Sequence, residues 1–184
     1  PEKSEAEKYT LTDEAFKDHV REFQEFAIDC VKDGDRESLM PHLLVVTRDT
    51  DYKDELTFCA LAVPFNEAKE KHDVLFKLGK KFFEEKKVVL AVVLSSECWT
   101  SKRPKDGDWQ ECQPRHDPLR TEGILVAGAA MNPKQRMVII TPIKRDEKNH
   151  IIIDGKPYES NEAEFYLINH FWQGYLSTLK LKRP

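Results

Sequence analysis

Glu97, Trp99, Arg115, Asp117, Arg120 and Glu122 fall within or at the edges of one stretch, SSECWTSKRPKDGDWQECQPRHDPLRTEG, residues 95 to 123. Together they carry the side chains that acid–base chemistry or anion recognition would need. A carboxylate such as Glu97 acts as a general acid or base when burial and a neighbouring arginine tune its pKa, and Asp117 or His116 stands close enough in sequence to assist. Arginine binds carboxylate or phosphate through a two-pronged fork, and Trp and Arg dominate the hot spots of interaction surfaces. The same stretch holds two of the three tryptophans and two of the four cysteines, yet it has no periodicity. Long aperiodic connections in compact domains are either functional or disordered.

The elements that must position this stretch are legible on both sides of it. Phe16, Val20, Phe23, Ala27 and Cys30 or Val31 recur at helical spacing, with Thr12 available to cap and Gly34 to stop. HLLVVTR (42–48) and ELTFCALAV (55–63) flank the Asp-rich RDTDYKDE and predict a strand pair. Pro64 closes the second strand, and Ala68, His72, Leu75, Gly79 and Phe82 mark one face of a second helix, where His72 is expected to sit hydrogen-bonded in the core. The unbroken apolar run Val88 to Leu94 predicts a central strand covered on both faces. EGILVAGAA (122–130), RMVIITPIK (136–144) and HIIID predict three more strands, and Ser160 or Asn161 caps a last helix carrying Phe165, Ile168, Trp172, Tyr175 and Leu179. The order α-ββ-α-ββββ-α predicts one α+β domain over 1–184: a mostly antiparallel sheet of five or six strands packed with three helices. Residues 1–10 read as a polar arm and 97–120 as a long loop.

Composition narrows the partners. Twenty-nine Lys and Arg against 33 Asp and Glu give a net charge of −4, so neither nucleic acid nor an anionic membrane is expected. The longest apolar run is too short to span a bilayer, and PEKSEAEKYT lacks the apolar core of a signal peptide; a cytoplasmic location is the expectation. Cys30, Cys59, Cys98 and Cys112 show no C-x-x-C spacing and are expected to be unpaired. No glycine-rich phosphate loop, G-x-S-x-G, H-E-x-x-H or deaminase zinc signature is present. Cys98, Cys112 and His116 have no metal-ligand spacing, so no metal site is assigned and no cofactor is named.

On strand alternation, Ser95, Glu97 and Trp99 share one face, as do Arg120, Glu122 and Ile124. If the two strands pair as antiparallel neighbours, Glu97 is expected to accept hydrogen bonds from Arg120 or Arg115 while Trp99 covers them. An apolar strand ending in E-x-W, a variable loop and then P-R-x-D-P-x-R-x-E resembles a pattern in a widespread family of uncharacterised bacterial proteins with no assigned activity. The likeness spans about residues 88–130. It implies a recurring motif at Glu97, Trp99, Asp117, Pro118, Arg120 and Glu122 without implying a reaction. The expected function is a binding or interaction module using the loop 97–122, its partner a protein or a small anionic ligand, with a purely structural ion-pair cluster as the plainer account. The alternative is an enzyme in which Glu97 is the general acid or base and Arg120 and Arg115 bind an anionic substrate.

Overall fold

The computed structural model describes residues 10–32, 36–48, 55–65, 68–100, 120–161 and 166–180. In chain order these form α1 (Asp13–Lys32), β1 (His42–Arg48), β2 (Leu56–Ala62), α2 (Ala68–Glu84), β3 (Val88–Thr100), β4 (Thr121–Ala130), β5 (Arg136–Arg145), β6 (Ile151–Ile153), β7 (Tyr158–Ser160) and α3 (Tyr166–Lys180). The strands lie in the order β2-β1-β3-β4-β5-β6, each antiparallel to its neighbour, and β7 also pairs with β5. This is the predicted α+β domain with one short strand added. Ser160 closes that strand rather than capping the last helix. Gly34 and Phe165, the stop and the stripe residue expected from sequence, lie outside the described residues, as do most of the β1–β2 connection and the arm 1–9.

β3 lies in the interior of the sheet. Because β1 pairs antiparallel with both β2 and β3, β2 and β3 run parallel with β1 between them, as a helical crossover through α2 requires. The continuous run Val89–Leu94 is fully buried because the sheet is covered on both faces. Val93, Ile124, Val126 and Ile139 face α1, which packs Phe16, Val20, Phe23 and Ala27 against them. Val92, Leu94, Leu125 and Ala127 face the α2–α3 layer through Leu75, Ile168 and Phe171. Thr12 caps α1 as predicted, its Oγ1 accepting from the Ala15 N–H at 3.2 Å. The buried Gln24 amide on α1 donates to Thr141 Oγ1 on β5 at 3.0 Å, so this apolar interface also has one fixed polar register point.

The helices α2 and α3 meet closely enough to need glycine at the crossing. A Cβ on Gly79 would stand 2.0 Å from the Phe171 carbonyl oxygen, and one on Gly174 2.0 Å from that of Phe76. His72 belongs to this contact rather than to the core. It is exposed and stacks on His170, ring centroids 4.1 Å apart, because the helical stripe turns it toward α3 at the rim of the crossing. Among the described residues no helix is long and apolar enough to cross a membrane.

Candidate functional site at the β3–β4 ends

β3 runs on through Glu97, Cys98, Trp99 and Thr100, residues expected in the loop, and pairs to its end with β4. The register places Glu97 opposite Ile124, Trp99 opposite Glu122 and Thr100 opposite Thr121. On β5, Ile143 stands opposite Glu122 and Thr141 opposite Ile124. Directly opposed residues share a face. Glu97, Trp99, Glu122 and Arg145 therefore all project from the α1 face of the sheet at one end.

The arginine that binds Glu97 is Arg145. Its Nη2 donates to Glu97 Oε2 at 2.7 Å and its Nε to Glu122 Oε2 at 2.7 Å. Nη1 donates to the carbonyl oxygens of Glu37 at 2.5 Å and Asn149 at 3.2 Å. Glu97 Oε1 accepts the Leu39 N–H at 2.6 Å. One guanidinium thus bridges two carboxylates and two backbone carbonyls, and one carboxylate reaches back to the segment before β1. All three side chains are largely shielded, 20–29% exposed, where charge-assisted bonds are stronger than in open water.

The expected pairing of Glu97 with Arg120 is therefore corrected. The partner of Glu97 across the ladder is Ile124, four residues beyond Arg120, so Arg120 lies past the end of β3. There its guanidinium lies over the Trp99 ring, Cζ 4.2 Å from the centroid. Trp99 is 43% exposed: it does not cover the Glu97 ion pair but stands outside it, beside an arginine. Arg115, His116 and Asp117 lie outside the described residues, as do Trp109, Cys112 and Pro118.

The turn after β5 completes the cluster. Asp146 Oδ1 accepts the N–H groups of Lys148 and His150 at 2.9 and 2.8 Å, and the His150 N–H above all holds this carboxyl below its ordinary pKa. Asn149 adopts φ of 68°, a left-handed conformation that asparagine tolerates, and the turn presents its carbonyl to Arg145. Neither Arg145 nor Leu39 was singled out from sequence. The signal for Arg145 was available: Ile139, Thr141, Ile143 and Arg145 alternate on the face of Glu122. Beside Leu39, Arg36, Ser38 and His42 line a cavity of about 310 Å³, and the buried His42 Nδ1 has no hydrogen-bond partner among the described residues. Among those residues no three His, Cys, Asp or Glu side chains converge as metal ligands would.

Cys98 projects from the opposite face, beside Gly123. Burial, and secondarily the charge of Glu97, push its thiol up to about 11. Cys30, Cys59 and Cys98 are all free thiols, as expected; Cys112 lies outside the described residues. Since the thiolate is the nucleophile, iodoacetamide at pH 8 should alkylate Cys98 at least about tenfold more slowly in the native protein than in urea. Equal rates, measured by mass spectrometry of the Cys98 peptide, would contradict its burial.

Comparison with protein-family models, with curated proteins and with solved structures returns no match to this chain.

Proposed function

We propose that the protein is a binding module whose recognition surface is the Trp99–Arg120 pair at the ends of β3 and β4, and that its ligand is anionic, presenting a carboxylate or phosphate. The observation that carries this reading is an exposed tryptophan with an arginine guanidinium 4.2 Å above its ring. Arginine binds carboxylate and phosphate through a planar fork of N–H donors, and an indole beside it adds an apolar wall to such a site. The Glu97–Arg145–Glu122 cluster beneath acts as a brace, tying the segment before β1 and the turn after β5 to the strand ends that carry the platform. What argues against Glu97 as a general acid or base is that each of its carboxylate oxygens already accepts a hydrogen bond, one from Leu39 and one from Arg145. The setting this reading assumes is a bacterial cytoplasm, for which the E-x-W and P-x-x-D-P-x-R-x-E pattern and the free thiols of Cys30, Cys59 and Cys98 are the support.

The test is a thermal-shift screen against inorganic phosphate, a sugar phosphate, a nucleoside monophosphate and a dicarboxylate. An anion at 100 times its Kd stabilises by about 2.7 kcal/mol, or roughly 5–11 °C for a chain of this size. Arg120→Ala should abolish that shift. If no anion class moves the transition, or if the Arg120 variant responds as the wild type does, the reading is wrong.

A further inference from the structure

The two edges of the sheet are treated differently by the sequence. On one side β5 is flanked by two strands of three residues, Ile151–Ile153 and Tyr158–Ser160, separated by Asp154, Gly155, Lys156 and Pro157, with a Lys144–Asp154 ion pair at 3.0 Å beside them. Short strands, charge and proline are the devices that stop an edge from pairing with another chain. On the other side lies β2, LTFCALA, seven residues without a charge or a proline. Among the described residues no strand pairs with its outer side, and Phe58 is 50% exposed.

The direction of its backbone groups follows from one hydrogen bond. The Val63 N–H donates to the Pro41 carbonyl at 2.8 Å, and the β1–β2 register continues without a shift from His42↔Ala62 to Arg48↔Leu56. In an antiparallel ladder a residue's N–H and C=O point to the same side, and successive residues alternate. Thr57, Cys59 and Leu61 therefore bond to β1, while Leu56, Phe58, Ala60 and Ala62 direct both groups outward.

From this pattern we infer that β2 is the dimer interface of the protein, pairing antiparallel with β2 of a second copy about a two-fold axis at Cys59. The full-length register has this centre. It places Phe58 opposite Ala60 of the second copy and Leu56 opposite Ala62, so every outward N–H and C=O of both strands finds a partner. The side chains are complementary under the same operation: Leu meets Ala, Phe meets Ala and Thr57 meets Leu61, a large or branched residue against a smaller or slimmer one at each pair. Glu55 falls opposite Val63 rather than opposite its own copy, and Pro64 lies just past the paired segment. A self-complementary patch is what a two-fold interface requires, and an added extended strand pairs the outward backbone groups in register. The result is one continuous sheet through both copies. Cys59 then faces its symmetry mate as a non-hydrogen-bonded pair, with Cα atoms about 4.5 Å apart, inside the range a disulfide accepts.

The test uses the full chain with Cys30, Cys98 and Cys112 replaced by serine, leaving Cys59. In reductant, sedimentation velocity should show a dimer. Copper–phenanthroline and air should then give a covalent dimer on a denaturing gel, the two Cys59 thiols each losing a proton and an electron to the oxidant. Ala60→Pro removes one outward N–H and no bond to β1, and Phe58→Lys adds charge to the edge. Each should return the protein to monomer and abolish the cross-link while circular dichroism stays native. A monomer at every concentration up to about 1 mM would overturn the inference. So would a dimer that neither cross-links through Cys59 nor responds to either of these two edge variants. If the triple serine variant fails to fold, the wild-type chain with Phe58→Lys decides by mass in solution alone.

Discussion

Replacing Arg145 by alanine is expected to destabilise the protein by about 3 kcal/mol, lowering the melting temperature by roughly 6–12 °C. The variant leaves Glu97 and Glu122 as two shielded carboxylates without the cation that bridges them, 2.7 Å from each, and it frees the carbonyls of Glu37 and Asn149. Losing one partner of a buried pair costs about 3–5 kcal/mol, and the lower end applies here because the group keeps some contact with solvent. Arg145→Lys should recover only part of the loss. A single ammonium cannot make the two fork contacts in one plane. Urea unfolding of the three proteins distinguishes a brace from an ordinary surface pair, which would lose under about 1 kcal/mol.

The second large effect is expected at the α2–α3 crossing. In an open helix Gly→Ala gains up to about 1 kcal/mol from propensity. At Gly174 the added Cβ would lie 2.0 Å from the Phe76 carbonyl oxygen, and at Gly79 the same distance from that of Phe171. Neither obstacle is a side chain that can rotate aside; both are backbone, so the helices must separate and give up the packing of Phe171 and Tyr175 behind them. Overpacking of this kind costs about 1–3 kcal/mol and occasionally more. A net loss of about 2 kcal/mol or more is expected for Gly174→Ala by the same urea titration. A gain in stability would mean that the two backbones do not meet at that point.

The elements were legible where one period governed them. Phe16, Val20, Phe23 and Ala27 repeat as a helix repeats, and all four are buried against the sheet. Val88 to Leu94 has no period because both of its faces are covered, and strand alternation correctly put Glu97, Trp99, Arg120 and Glu122 on one side. Partners were not legible. A strand's side chains repeat every two residues, so an even shift of register preserves the face and changes every neighbour. The observed offset of four residues between Arg120 and Ile124 did that: the face was right and the arginine was wrong. The pairing that tells one even register from another runs further along the ladder, where Val93 stands opposite Gly128 and Leu94 opposite Ala127. Arg145 is hidden for a related reason: the turn residues that follow Lys144 predict the end of β5 one residue before the side chain that matters.

The division between a brace that holds and a platform that binds is tested most directly by the unliganded stability of the double variant Trp99→Ala/Arg120→Ala. Both side chains are exposed. An exposed cation–π contact is worth about 0.5–1 kcal/mol, and any ion pair at an exposed arginine under about 1 kcal/mol. Urea unfolding should therefore place the double variant within about 1.5 kcal/mol of the wild type. A loss of about 3 kcal/mol or more, equal to that expected for Arg145→Ala, would show that Trp99 and Arg120 hold the fold together and are not a recognition surface.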